Sequence, residues 1–163
     1  MTMQKVNCIC CLAAALAVWA SDSYGASKLD EDAIRAIRIK SNAAIARQDV
    51  QGITSFLDSE YQITTGSGAM YQGNPSKESN LWAEHFAEYP DAVYVRTTET
   101  VELGTYLPVA AESGHWKGSY STGTGVKDMT GSYMAYWRNV EGHWKIHAEM
   151  FVTLSCTGPG CAP

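Results

Sequence analysis

Residues 29–48 read LDEDAIRAIRIKSNAAIARQ, in which Ala33, Ile34, Ile37, Ala44 and Ile45 recur at helical intervals. Acids crowd the first turn and bases follow, which predicts an amphipathic helix. Asp49 is placed to cap a second, short helix over 50–58, with Val50, Ile53, Phe56 and Leu57 along one side. The segment 60–73 predicts two short strands around Gly66-Ser67-Gly68. Asn74-Pro75 then opens a third helix that Pro90 ends. From there the period changes. Residues 91–103, 109–121, 128–140 and 143–154 are rich in β-branched and aromatic side chains and predict four successive strands.

Helices first and antiparallel strands afterwards define an α+β domain, with the helices packed on one face of a sheet. No internal repeat interrupts it. The chain has 163 residues, and its first twenty differ from the rest: Lys5 precedes the apolar run CICCLAAALAVWA. That run is too short to cross a bilayer, which takes about 20 residues, and fits a cleaved signal segment over 1–20, with Gly25 as a later cleavage position. Export, to a periplasm or beyond the cell, is therefore expected, with no membrane attachment after cleavage.

Loss of Lys5 takes the formal charge from −5 to −6. An acidic domain without a basic block is a poor match for nucleic acid. Cleavage also leaves only Cys156 and Cys161, in CTGPGC. In oxidising surroundings, with a Gly-Pro-Gly reversal between them, these two are expected to form a disulfide that closes a tail over 155–163. The body of the domain is then 29–154.

The long helix ending in ARQD, the short SFLD segment, GNPSKESNLWAEHF, AESGHW and above all YWRNVEGHWKIHAEMF resemble the nuclear transport factor 2-like superfamily, particularly its SnoaL-like and ketosteroid isomerase-like members. The resemblance implies a cone: a strongly curved antiparallel sheet wrapped around the N-terminal helices, a pocket at the open end, and assembly as a homodimer. It does not imply one function, because the fold hosts isomerases, dehydratases, cyclases, hydrolases and domains without catalysis. In one non-catalytic relative, a kinase association domain, arginines of the last hairpin line the pocket. Here Ala135 and Phe151 stand at those positions, which argues against an arginine-based pocket.

The candidate chemistry depends on the register of the last hairpin. A type I turn with a glycine bulge through NVEG pairs Asn139 with His143 and puts Tyr133, Ala135, Trp137, Lys145, His147, Glu149 and Phe151 on one face. A two-residue turn instead groups Trp137 with Trp144, Ile146 and Ala148 and leaves His147 and Glu149 opposite. Apolar clustering favours the second, since it gathers Tyr133, Ala135, Trp137, Trp144, Ile146, Ala148 and Met150; turn chemistry and the family resemblance favour the first, which is the reading adopted. In that register Glu149 and His147 become an acid–base pair in an apolar cone, with Tyr133 donating a hydrogen bond to a developing oxyanion. His115, Trp137, Phe151 and Trp82 are further pocket candidates; His85 is read as exposed. No metal and no cofactor is expected, since among His143, His147 and Glu149 only the last two lie close enough to share an ion. The expected ligand is a small apolar or aromatic molecule bearing a carbonyl or hydroxyl, met by an isomerase, dehydratase or lyase without cofactor. A non-catalytic ligand-binding or interaction module is the alternative.

Overall fold

The computed structural model describes residues 21–159 and 161, so the expected signal segment over 1–20 lies outside the described residues. Helix α1 (Ser21–Ala46) precedes α2 (Val50–Thr54), strands β1 (Leu57–Thr64) and β2 (Met70–Gln72), helix α3 (Pro75–Glu88), and strands β3 (Val93–Leu103), β4 (Val109–Thr122), β5 (Gly125–Val140) and β6 (His143–Thr157). Capping fixes two of the helix starts. The Asp49 carboxylate accepts from the Gly52 amide, and the Asn74 side chain accepts from the Lys77 amide, with Pro75 in the first turn. Leu57 and Asp58 begin β1 rather than extending α2.

The six strands form one curved, unclosed sheet in the order β2-β1-β6-β5-β4-β3. All neighbours are antiparallel except β1 and β6, which run parallel. The parallel pair arises because β1 enters the sheet long before the meander from β3 to β6 returns to it. Helix α1 packs against the concave side, where Ile34 and Ile45 join Leu57, Trp116, Trp137 and Ile146 in burial. Ile45 also meets Ile53 of α2 and Phe86 of α3, so the helices close one end of the cone.

The last hairpin departs from the expected register. Val140 pairs with His143 across a two-residue turn in which Glu141 (φ 52°) and Gly142 (φ 85°) are both left-handed. That is the mirror-image turn whose twist matches its flanking strands. It sends Trp144 and Ile146 inward beside Trp137, and Trp144 donates from Nε1 to Asp30 of α1 at 2.8 Å. Trp144 is therefore part of the core. A bulge follows: Trp137 pairs with Ile146 but Tyr136 with Ala148, leaving His147 as the extra residue. The alternation restarts one step later, so Ala135 pairs with Glu149, and Glu149 turns inward. Neither register read from the sequence held along the whole hairpin. The two-residue turn governs its tip and the bulge corrects the remainder.

Candidate functional site

The concave side of the sheet, α1 and α3 enclose a cavity of about 570 Å³. Its walls are mostly apolar and aromatic, with Trp82, Tyr94, Trp116, Tyr120 and Phe151 among them. Its floor is ionic. The buried stripe of α1 that begins at Ile34 continues through Arg38 and Ser41 to Ile45, so two polar side chains enter the core at helical spacing.

Arg38 is 1 % exposed and pairs with two carboxylates. Its Nη2 and Nε donate to Glu112 at 2.7 and 3.1 Å, and its Nη1 donates to Glu149 at 2.8 Å. Glu112 also accepts from the Tyr133 hydroxyl at 2.6 Å, Trp137 Nε1 at 2.8 Å and the Thr98 hydroxyl at 2.7 Å. Burial pushes the Glu112 carboxyl up, but the Arg38 charge and these donors outweigh it and hold the group below its ordinary value. Burial likewise opposes the charge on Arg38, and the two glutamates more than restore it. Glu149 accepts a second hydrogen bond, from Tyr61 at 2.7 Å. Burial, then the Glu149 charge, raises Tyr61 well above its ordinary value and keeps it a donor.

Glu78 differs from these acids. It sits on the buried stripe of α3 with Trp82, His85 and Phe86, lines the cavity, and makes no salt bridge among the described residues. Burial first, and the nearby Glu149 charge second, push its carboxyl up to about 7; Trp82 and Arg96 offset part of that. Across the same wall, His85 Nε2 and the Tyr94 hydroxyl lie 2.9 Å apart. Burial lowers His85, with Glu88 opposing, so the imidazole is neutral at neutral pH.

The residues singled out in the sequence separate into three groups. Glu149, Phe151 and Trp82 reach the cavity. Tyr133 and Trp137 are buried beneath its floor with their polar atoms engaged by Glu112. His147 and His115 are on the opposite side of the sheet. His147 faces outward because alternation from the two-residue turn places it opposite to Trp144 and Ile146; its Nδ1 is 3.3 Å from Asp58 and its ring 5.9 Å from that of Tyr136. The His147–Glu149 pair therefore does not form. His115 is 61 % exposed and 3.0 Å from Glu99, since β4 alternates and Trp116 takes the inward place. His85, expected to be exposed, lines the cavity. An arginine does line the cavity, Arg96 of β3, while Arg38 of α1 is buried beneath the floor in its pairs with Glu112 and Glu149. The place of Arg38 at helical spacing from Ile34 and Ile45 was its legible signal, as the company of Trp82 and Phe86 was for Glu78.

A carboxylate–histidine cluster does occur on the outer side, where Asp58, Glu60 and His147 converge. Arg138 Nη1 lies 3.4 Å from Asp58, 3.2 Å from Glu60 and 3.4 Å from His147 Nδ1, so the position a cation would take is held by a guanidinium. Cys156 and Cys161 are joined in a disulfide, and both border the cavity mouth.

No sequence-family model matches the chain, and no curated protein matches it either. Solved structures do. A scytalone dehydratase-like protein from Novosphingobium aromaticivorans superposes with a TM-score of 0.73 at 9% identity, over 86% of this chain and 99% of that one. A ketosteroid isomerase-like protein from Erwinia carotovora atroseptica gives 0.65 at 14% identity, over 77% and 97%. An NTF-2-like protein from Shewanella oneidensis MR-1 gives 0.58 at 15% identity, over 74% and 97%. The fold is that of the nuclear transport factor 2-like superfamily. At these identities the likeness extends to the nuclear transport factor 2-like architecture and its open-ended cone, and the chemistry rests on this chain's own residues.

Proposed function

We propose that the protein is an exported acid–base enzyme of the isomerase, dehydratase or lyase type, acting without a cofactor on a small apolar or aromatic molecule. The observation that carries the reading is Glu78: a carboxyl in the wall of a largely apolar cavity whose pKa of about 7 lets it both take and return a proton near neutral pH. Glu149 has a different part. Held by Arg38 and Tyr61, it is a fixed like charge that helps raise Glu78. Neutral His85, bonded to Tyr94, is a second group able to exchange a proton with a ligand in the same space. The scytalone dehydratase-like and ketosteroid isomerase-like neighbours support the reaction class by analogy of fold. Export rests on the pattern of residues 1–20.

The test is a panel of small aromatic ketones and alcohols incubated with the protein in D2O and read by mass spectrometry. Deuterium uptake next to a carbonyl, or loss of water, is expected with the wild type. Glu78→Gln should lower either rate by on the order of 10²–10⁴-fold. Saturable binding of panel members with neither exchange nor water loss would instead make the cone a ligand-binding module.

A further inference from the structure

Among the described residues, the two buried arginines near the cavity floor differ in how far their N–H donors are used. Every nitrogen of Arg38 donates to Glu112 or Glu149. Arg96, on β3, is 8 % exposed and lines the cavity. Its Nε donates to Asn42 Oδ1 at 3.1 Å and its Nη2 to Ser41 Oγ at 3.0 Å. Its nearest carboxylate, Glu149, is 3.8 Å from Nη1, beyond hydrogen-bond reach. A guanidinium has five N–H donors. Two are used, and both hydrogens on Nη1 are left without a hydrogen bond to the described residues. Such a group, fixed on two sides by Asn42 and Ser41 and opening on a ligand-sized space, is pre-organised for an oxygen acceptor.

We propose that Arg96 is the oxyanion-binding residue of this cavity, and that the substrates are neutral aromatic or apolar carbonyl compounds with an ionisable C–H beside the carbonyl. The proposal rests on the acid–base reading of Glu78 for its chemistry, though not for its binding. Charge selects a neutral carbonyl over a carboxylate. A carboxylate would add an anion beside Glu149 and drive Glu78 to its protonated form, where it is no longer a base. A neutral carbonyl adds no charge on entry. When ionised Glu78 takes the proton, the C–H electron pair forms a C=C bond, the carbonyl π pair moves to oxygen, and the negative charge passes from Glu78 to the oxygen at Arg96. Return of the proton to another carbon gives an isomer. Departure of a β-hydroxyl, protonated by Glu78, gives an unsaturated carbonyl and water. Trp82, Tyr94, Trp116 and Phe151 supply the surface for the ring or chain.

The test separates the two readings by using a ligand that ionises without turnover. 4-Nitrophenol changes colour on ionisation, and 4-nitroanisole has the same ring without an ionisable oxygen. Wild-type protein titrated near the ionisation midpoint of 4-nitrophenol should increase the yellow fraction and bind it on the order of 10- to 100-fold more tightly than 4-nitroanisole, the worth of a charge-assisted hydrogen bond. Arg96→Gln should abolish both differences, and Arg96→Lys should keep part of them. Equal affinity for the two ligands, binding of the colourless form, or no binding at millimolar concentration would each overturn the proposal. These ligand comparisons need only the wild type, so a misfolded variant does not spoil them. An ionisation shift without any deuterium exchange on the ketone panel would leave Arg96 standing and remove the acid–base reading, whereas exchange with no shift would do the reverse.

Discussion

Glu78 should cost the protein stability, and replacing it should return some. In the unfolded chain its carboxyl has the ordinary value of 4.5, and in the folded protein it is pushed up to about 7 by burial and by Glu149. Below the lower value the group is protonated in both states and has no effect. As pH rises from 4.5 to about 7 the unfolded chain ionises freely while the folded one resists, so the folded state loses ground, and above 7 the loss is complete. The gap corresponds to on the order of 3 kcal/mol at its limit. Glu78→Gln removes the ionisation and keeps the shape. Urea unfolding at pH 5 and pH 8 should therefore show little change at the lower pH and a gain on the order of 2–3 kcal/mol for the variant at the higher. A variant equally stable to the wild type at both pH values, or less stable at pH 8, would refute the raised pKa and with it the role of Glu78 as the proton-transfer group. Removing a functional carboxylate commonly raises stability in this way.

Three further outcomes follow from the geometry. Arg38→Met strands Glu112 and Glu149 in the core and should destabilise by about 3–5 kcal/mol in the same unfolding assay, enough to leave little folded protein, whereas a loss under 1 kcal/mol would mean the network is hydrated. His147→Ala, on the outer side of the sheet, should leave 4-nitrophenol binding and deuterium exchange at wild-type levels, and a tenfold loss in either would place the imidazole in the cavity after all. Met134, Tyr136, Met150 and Val152 form an exposed apolar patch on β5 and β6, so light scattering at micromolar concentration should give a homodimer mass, reduced to that of a monomer by Met134→Lys with Met150→Lys; a monomeric wild type would count against the patch as an interface.

The elements were legible because they are written in local periods. The helical repeat of Ile34, Ile37, Ala44 and Ile45, the Asn74-Pro75 start and the alternation from Val93 onward depend on nearest neighbours along the chain, and each resulting helix or strand is where the pattern puts it. The α+β class follows from their order. The face that each β6 residue presents does not. Glu141-Gly142 is compatible with two turns, and the choice between them depends on where the bulk of Trp144 and Ile146 is accommodated: burying each contributes about 1.5–3 kcal/mol, and the concave side against α1 is where that burial is available. A strict alternation from that tip would then have put Glu149 outside, away from Arg38. One extra residue, His147, reconciles the apolar tip with the ionic floor. That solution involves a helix more than a hundred residues earlier. The same distance hid the site. Arg38, Arg96, Glu112 and Glu149 come from α1, β3, β4 and β6, and nothing local in any of those segments says that two guanidinium groups and two carboxylates will meet. The sequence by itself determined the first and third helices, the strands of the meander, the acidic charge and the thiol pair, while the end of α2 and the start of β1 were settled by packing. Which carboxyl would be left without a salt bridge among the described residues, in an apolar wall and so free to move a proton, was decided only when the curved sheet packed around the helices.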